Sequence, residues 1–435
     1  MTSGSPSITL KNLQQCRGDV TLPGSKSIAN RALLMAALCV DGQKTTLTNV
    51  LRSDDTERML EALSELGVII DVASDSETTM TVTGCGGHWP KQPQVLDLGN
   101  AGTAMRPLLA VLSATLHDTA CVLTGDARMQ ERPVQALVDA LRAGGTQLNC
   151  LQHEGYPPIE VQGGLQGGML SIDGSASSQY ISAMLMALPL LTQDSVLQLT
   201  GTVVSWPYIE LTLAMLKRFG IEVHRICRQE FLIPGQQTYQ SPGEYWVEGD
   251  ASAASYWLAA AALGGGPLTV HGVGSESIQG DVKFADYLAD MGAEVIIEAH
   301  SITVKRGELR ALDADLNAIP DAAMTFATLA LFASGTTHIR NIANWRIKET
   351  DRLEAMATEL RKVGAHVVET EDAIAVTPPD EINHAEIATY NDHRMAMSFA
   401  LLGFSRAGVT ILDPKCCSKT YPSFFDEFCA ITQSS

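Results

Sequence analysis

The chain is expected to be an α/β protein made of six copies of one unit, grouped as two domains of three. Three observations predict this. First, a polar residue opens a stretch of small apolar residues six times. The stretches are GSKSIANRALLMAAL, NAGTAMRPLLAVLSA, SSQYISAMLMALPLL, GDASAASYWLAAAAL, PDAAMTFATLALFAS and NDHRMAMSFALLGFS. With Ser27, Asn100, Ser177, Asp250, Asp321 and Asn391 as starts, the gaps are 73, 77, 73, 71 and 70 residues. A fixed period means one supersecondary unit repeated. Second, amphipathic segments end at Gly67, Gly144, Gly220, Gly292 and Gly364, at gaps of 77, 76, 72 and 72. Third, at 435 residues the chain exceeds a usual single core.

Each unit reads as a strand, a buried helix, a strand, an amphipathic helix and two further strands. The first helix of each unit is apolar on every side, as a buried helix is. Its polar start is expected to be a helix N-terminus, where free N–H groups and the dipole favour anions. The second helix has one apolar face. DDTERMLEALSELG aligns Met59, Leu60, Leu63 and Leu66, and ETDRLEAMATELRKVG aligns Leu353, Met356, Leu360 and Val363. Each terminal glycine is expected to supply a left-handed cap. The closing strand pairs are exemplified by VIIDVASDSETTMTVTG and AHVVETEDAIAVTPP. The sixth unit runs out in YPSFFDEFCAITQSS. The Pro-, Gly- and Gln-rich PGQQTYQSPGEYW places a loop ahead of a domain boundary near residues 240–250.

Composition excludes several classes. A net charge of −19 argues against non-specific nucleic-acid binding, which needs a basic face. A small anionic ligand remains open, because screening makes the local pocket decisive. The nine cysteines are odd in number and form no CxxC, and adjacent Cys416 and Cys417 are poorly placed for an ordinary disulfide. Reduced thiols in a cytoplasmic protein are expected. The start MTSGSPSITLKNLQ shows no signal peptide. The apolar run at residues 180–191 is too short to span a bilayer and contains Pro189.

The motifs converge on anion chemistry. PGSKSIANR puts Lys26, Ser27 and Arg31 at the first helix start, without the spacing of a P-loop. LDLGNAGTAMRP combines Asn100, Gly102, Thr103 and Arg106, and a glycine there admits a ligand close to the backbone. Asn100 alone reads equally as a cap. GDARMQERPV carries Arg128 and Arg132, suited to bidentate recognition of carboxylate or phosphate. Ser177, Ser178 and Gln179 offer uncharged hydrogen-bonding groups. Asp321 opens the fifth helix, and NWRIKETDR adds Asn344, Arg346, Lys348, Glu349, Asp351 and Arg352. NDHRMAMS contributes His393 and Arg394, and DPKCCSKTYP contributes Lys415 and Lys419. A mixed-charge run is ordinarily a solvated helix end. Recurrence at unit starts in an acidic chain instead implies a cleft holding several negative charges. Lys26, Arg31, Arg132, Lys348, Arg352, Arg394 and Lys419 would line it, with Asp321 and Glu349 as proton-transfer groups. The reaction class is group transfer between phosphorylated or carboxylated small molecules.

Taken together, PGSKSIANRAL, LGNAGTAMRPL, RMQERPV, SSQY, IPDAAM, NWRIKETDRL, NDHRMAM and SKTYP resemble, in order, the enolpyruvylshikimate-phosphate synthase family. The likeness is to its bacterial form, in which glyphosate occupies the phosphoenolpyruvate site. It runs from near residue 20 to near residue 422. The resemblance implies an inside-out α/β barrel of two similar domains, each of three βαβαββ units. Residues 1–24 would join 248–435 in the C-terminal domain, and residues 25–247 would form the N-terminal domain. Substrates would bind in the interdomain cleft. Lys26, Ser27, Arg31, Ser177, Ser178, Gln179, Ser205, Asp321, Asn344 and Lys348 would contact shikimate 3-phosphate. Lys26, Gly102, Arg132, Gln179, Arg352, Arg394 and Lys419 would contact phosphoenolpyruvate. Asp321 would be the base toward the 5-hydroxyl and Glu349 the proton donor to C3. Lys26 would assist departure of phosphate. No metal or cofactor is implied, and a monomer is expected.

Two relatives of this architecture compete with that reading. A UDP-N-acetylglucosamine enolpyruvyl transferase commonly carries a loop cysteine, and GDARMQERP has none. An RNA 3′-phosphate cyclase would need nucleic-acid contacts that the acidic balance disfavours. A non-catalytic binding protein would be expected to lack Asp321, Glu349 or Lys26, and all three are present.

Overall fold

The computed structural model describes residues 6–117 and 119–432. Small side chains dictate its layering. In Ala251–Gly264 every residue is buried, and in Gly102–Thr115 and Lys26–Leu38 nearly every residue is. Such helices can only sit inside, so the sheets lie outside them. Gly102–Thr115 packs against both Lys26–Leu38 and Ser178–Ala187, and Ala323–Leu329 packs against Ala251–Gly264 and His393–Phe399. The second helix of each unit, such as Asp54–Glu65 or Arg352–Lys362, buries one face only.

The sheets repeat one pattern, clearest in the third unit. Gly168–Asp173 runs parallel to Ser195–Thr200, with Gly168 opposite Ser195. The connection between them is the buried helix Ser178–Ala187, as a parallel crossover requires. Ser195–Thr200 then pairs antiparallel with Glu230–Ile233, which pairs with His224–Cys227. Among the described residues there are six sheets of this kind, five with four strands and one with three.

Two strands are exchanged between the first and fourth units. Cys16–Thr21, which leads into the helix Lys26–Leu38, pairs parallel with Gly265–His271 of the fourth unit. Glu244–Trp246, which leads into Ala251–Gly264, pairs parallel with Lys44–Thr48 of the first. The chain accordingly divides into two compact units, residues 24–247 and residues 1–23 with 248–435. Gly24 opens the first of these. A Cβ there would lie 1.8 Å from the Asn49 carbonyl oxygen, so only glycine fits. The sixth sheet is completed by the chain's beginning: Ser7–Leu10 pairs antiparallel with Val409–Leu412, where a closing strand would otherwise stand.

Two sequence expectations need correction. Of the six polar starts, only Ser177 and Asp250 are themselves caps accepting backbone N–H groups. Lys26 precedes Ser27 as the first helical residue, Asn100 and Asp321 lie two residues ahead of their helices, and Asp392 rather than Asn391 caps the last. Displacement from the cap leaves several of these side chains available for other contacts. The glycines are left-handed at Gly67, Gly220, Gly292 and Gly364, but Gly144 has φ −80° and its neighbour Gly145 takes the left-handed position. Gly144 is instead constrained by packing, since a Cβ would meet the Leu165 side chain at 2.6 Å. No helix among the described residues is long and apolar enough to cross a membrane.

Candidate active site

Residues 24–247 carry one set of candidate side chains, gathered at the starts of buried helices. Lys26 is buried and its Nζ lies 3.0 Å from an Asp55 carboxylate oxygen. Arg31, one turn on, is held by neutral oxygens. Its Nε donates to Thr212 Oγ1 (2.9 Å), Nη1 to the Ser27 carbonyl (2.8 Å) and Nη2 to Ser182 Oγ (3.3 Å). Burial lowers its pKa to about 10, which leaves it a cation at neutral pH.

Arg132 is drawn onto the second helix start, where its Nη1 donates to the Asn100 side chain (2.8 Å) and carbonyl (3.2 Å). Its Nε has no hydrogen-bond partner although buried. Gly102 lets both arginines come close: a Cβ would stand 1.9 Å from Arg106 Nη1, the end of a side chain that would have to move aside, and 3.1 Å from Arg132 Nη2. At the third start Ser177 Oγ accepts from the Gln179 N–H at 3.2 Å, and Ser178 is buried. Gln179 Oε1 is also buried without a partner. Buried polar atoms are ordinarily satisfied, so these two point to an expected ligand. Ser205 is buried with φ 54°, a conformation non-glycine residues seldom adopt. The following Trp206 anchors that turn: its indole donates to Glu210 at 2.7 Å, with the Arg225 guanidinium 5.4 Å from its ring.

The second compact unit carries the other set, dense in paired charge. Arg352 is 1% exposed and meets three carboxylates. Nε donates to Asp392 Oδ2 (2.7 Å), Nη1 to Asp321 Oδ1 (2.8 Å) and Nη2 to Glu349 Oε2 (2.8 Å). Asp321 also receives Arg394 Nη2 at 3.0 Å and Lys348 Nζ at 3.4 Å. Lys419 Nζ lies 3.7 Å from Glu349 Oε1, and Arg394 Nη1 donates to Tyr256 Oη at 3.3 Å. Burial alone would raise the Asp321 pKa, but Arg394, Lys348 and Arg352 outweigh it and hold the carboxyl well below the usual range. Burial likewise depresses Lys348, with Asp321 opposing it. Asn344 is buried in the turn Ala343–Ile347 that leads to Lys348.

The structure sorts the sequence candidates. Lys348, Glu349, Arg352, Arg394, Lys419 and Asp321 form one cluster. Arg346 of the same motif pairs with Asp351 and binds the carbonyls of Thr370 and Glu371, which fixes a loop. Arg128 pairs with Glu131 one helical turn away, and Lys415 is exposed. Sequence reasoning missed Asp55, Asp392 and Tyr256. Of these only Asp392 had a local signal, as an aspartate two residues ahead of an arginine at a helix start.

Residues 10–428 match the family EPSP synthase (3-phosphoshikimate 1-carboxyvinyltransferase). The chain is 59% identical over 431 residues to the 3-phosphoshikimate 1-carboxyvinyltransferase of Idiomarina loihiensis, covering 98% of this chain and 99% of that one. It is 54% identical over 430 residues to the enzyme of the same name from Escherichia coli, covering 99% and 100%. A solved EPSP synthase structure from Acinetobacter baumannii superposes with a TM-score of 0.80 at 26% identity, covering 99% of this chain and 98% of that one.

Proposed function

The chain belongs to the EPSP synthase family, and from that premise we propose how its residues divide the work of the reaction. The enzyme transfers the enolpyruvyl group of phosphoenolpyruvate to the 5-hydroxyl of shikimate 3-phosphate, a step of the shikimate pathway. The oxygen attacks C2 while C3 gains a proton, and the tetrahedral intermediate then loses inorganic phosphate from C2 together with a proton from C3, which restores the carbon–carbon double bond.

In this proposal Lys26, Ser27, Arg31, Ser177, Ser178, Gln179, Ser205, Asp321, Asn344 and Lys348 hold shikimate 3-phosphate. Lys26, Gly102, Arg132, Gln179, Arg352, Arg394 and Lys419 hold phosphoenolpyruvate. The observation that carries the reading is the cluster around Asp321, where one carboxylate is shared by Arg352, Arg394 and Lys348. With its pKa so depressed, Asp321 is a poor base. An arriving phosphate or carboxylate competes for Arg394 and Lys348. As those cations turn to substrate, the Asp321 pKa rises toward the range in which it can take the 5-hydroxyl proton. Substrate binding thereby switches the base on. Glu349, between Arg352 and Lys419, is assigned the proton donated to C3. Lys26 neutralises the departing phosphate. Glyphosate is assigned to the phosphoenolpyruvate site, and the protein is taken as a cytoplasmic monomer.

The test is release of inorganic phosphate from phosphoenolpyruvate, with shikimate 3-phosphate or UDP-N-acetylglucosamine as acceptor. The reading expects release only with shikimate 3-phosphate. Release with the nucleotide sugar instead would overturn it.

A further inference from the structure

The helix Arg352–Lys362 carries a buried acid that the reaction does not use. Glu359 is fully buried, on a face whose other buried side chains are apolar apart from Arg352. It stands seven residues after Arg352, two helical turns, so both side chains leave the same face, about 10 Å apart along the axis. Glu359 is filled with donors. Tyr390 Oη donates to Oε1 at 2.7 Å, the Ala388 N–H donates to Oε2 at 3.1 Å, and Lys362 Nζ lies 2.7 Å from Oε2. Burial, and then the bond to Glu359, push the Tyr390 phenol up to about 12, so it remains a donor throughout the neutral range.

The segment it grips needs holding. Tyr390 and Asn391 both have φ 54°, two successive left-handed residues without a glycine. For a bulky residue that conformation is costly and persists only when its surroundings enforce it. The next residue is Asp392, which accepts Arg352 Nε at 2.7 Å and the Arg394 N–H at 2.9 Å. One helix thus fastens the segment at two points: Glu359 holds residues 388 and 390, and Arg352 holds residue 392.

We infer that Glu359 and Tyr390 are positioning residues for phosphoenolpyruvate: their bond holds the strained turn that aims Asp392, and through it Arg352 and Arg394, at the substrate. The inference rests on the assignment of those two arginines to phosphoenolpyruvate. The test uses the full-length enzyme with Glu359→Gln and Tyr390→Phe, measuring kcat, both KM values and thermal stability, with Arg394→Lys as a reference. Tyr390 is partly exposed, so its phenyl variant folds even if the glutamine variant does not. Loss of one such bond is expected to raise KM for phosphoenolpyruvate roughly three- to tenfold. KM for shikimate 3-phosphate should stay unchanged, and the double variant should be no worse than the poorer single one. A lowered melting temperature with both KM values unchanged in Tyr390→Phe would overturn the inference, as would equal rises in the two. If Arg394→Lys also left KM for phosphoenolpyruvate untouched, the assignment of the arginine would fail, and the inference with it.

Discussion

The two sets of candidate site residues handle positive charge in opposite ways. In residues 24–247, Arg31 and Arg132 are held by hydroxyls, carbonyls and an amide, and Lys26 faces the single carboxylate Asp55. In the other unit, Arg352, Arg394, Lys348 and Lys419 are interleaved with Asp321, Glu349 and Asp392. Neutral partners orient a cation and leave its charge available to an anion. Carboxylate partners cancel it, so a substrate there must displace an internal ion pair. The first arrangement suits binding, and the second suits a change in acid strength on binding. The proposed acid–base groups, Asp321 and Glu349, both lie in the second.

This contrast can be broken first by deleting one arginine from each set. Arg352→Met leaves the fully buried Asp392 without its arginine, while Asp321 keeps Arg394 and Lys348, and Glu349 keeps Lys419, and should cost about 3–5 kcal/mol of stability. Arg31→Met orphans only neutral groups, and Thr212 keeps bonds to Ser182 and the Tyr208 carbonyl. Its cost should be about 1–3 kcal/mol. Urea denaturation of both variants checks the ordering, and equal losses would erase the distinction.

The pH dependence of stability sharpens it next. Asp281, buried in the charged unit and accepting from Ser252 Oγ at 2.9 Å, has its pKa pushed up to about 6 by burial and then by Asp321. The folded state therefore holds that proton more tightly than the unfolded chain. Its contribution falls as pH rises from 3.8 to about 6. Asp321 has the opposite sign: its contribution is present above 3.8 and is lost as pH falls through its depressed folded value. Asp281→Asn should flatten the decline on the way to neutrality and raise stability at pH 7 by about 2–3 kcal/mol at most. An unchanged pH profile of unfolding would contradict this.

A smaller effect probes the neutral set. Gly102→Ala drives a methyl into Arg106 Nη1 and narrows the space beside Arg132. We expect inhibition by glyphosate to weaken roughly 10- to 100-fold, and KM for phosphoenolpyruvate to rise less. Equal inhibition constants for glyphosate in the parent and the variant would refute it.

Much of this was legible in the sequence because the unit repeats. Periodic small-residue stretches and terminal glycines locate the buried and amphipathic helices, and the recurring polar starts locate the cations. The exchange of Cys16–Thr21 and Glu244–Trp246 was not legible in either strand's own residues, because pairing partners more than 190 residues away leave no local signature. The partners of the cations were hidden for the same reason. Asp55 reads as an ordinary first-turn acid, yet it neutralises Lys26, 29 residues earlier. Glu359 reads as one more solvated glutamate in TELRKVG, yet it is fully buried beneath Tyr390. Conversely, Arg128 and Arg346 have the right chemistry at the right spacing, but nearby acids and carbonyls claim them.

The most direct test of substrate-switched basicity is single-turnover chemistry in Asp321→Asn. The amide keeps the size of the side chain and removes the base. The account predicts a rate on the order of 10²- to 10⁴-fold slower, with both substrates still bound. Turnover near that of the parent enzyme would contradict it.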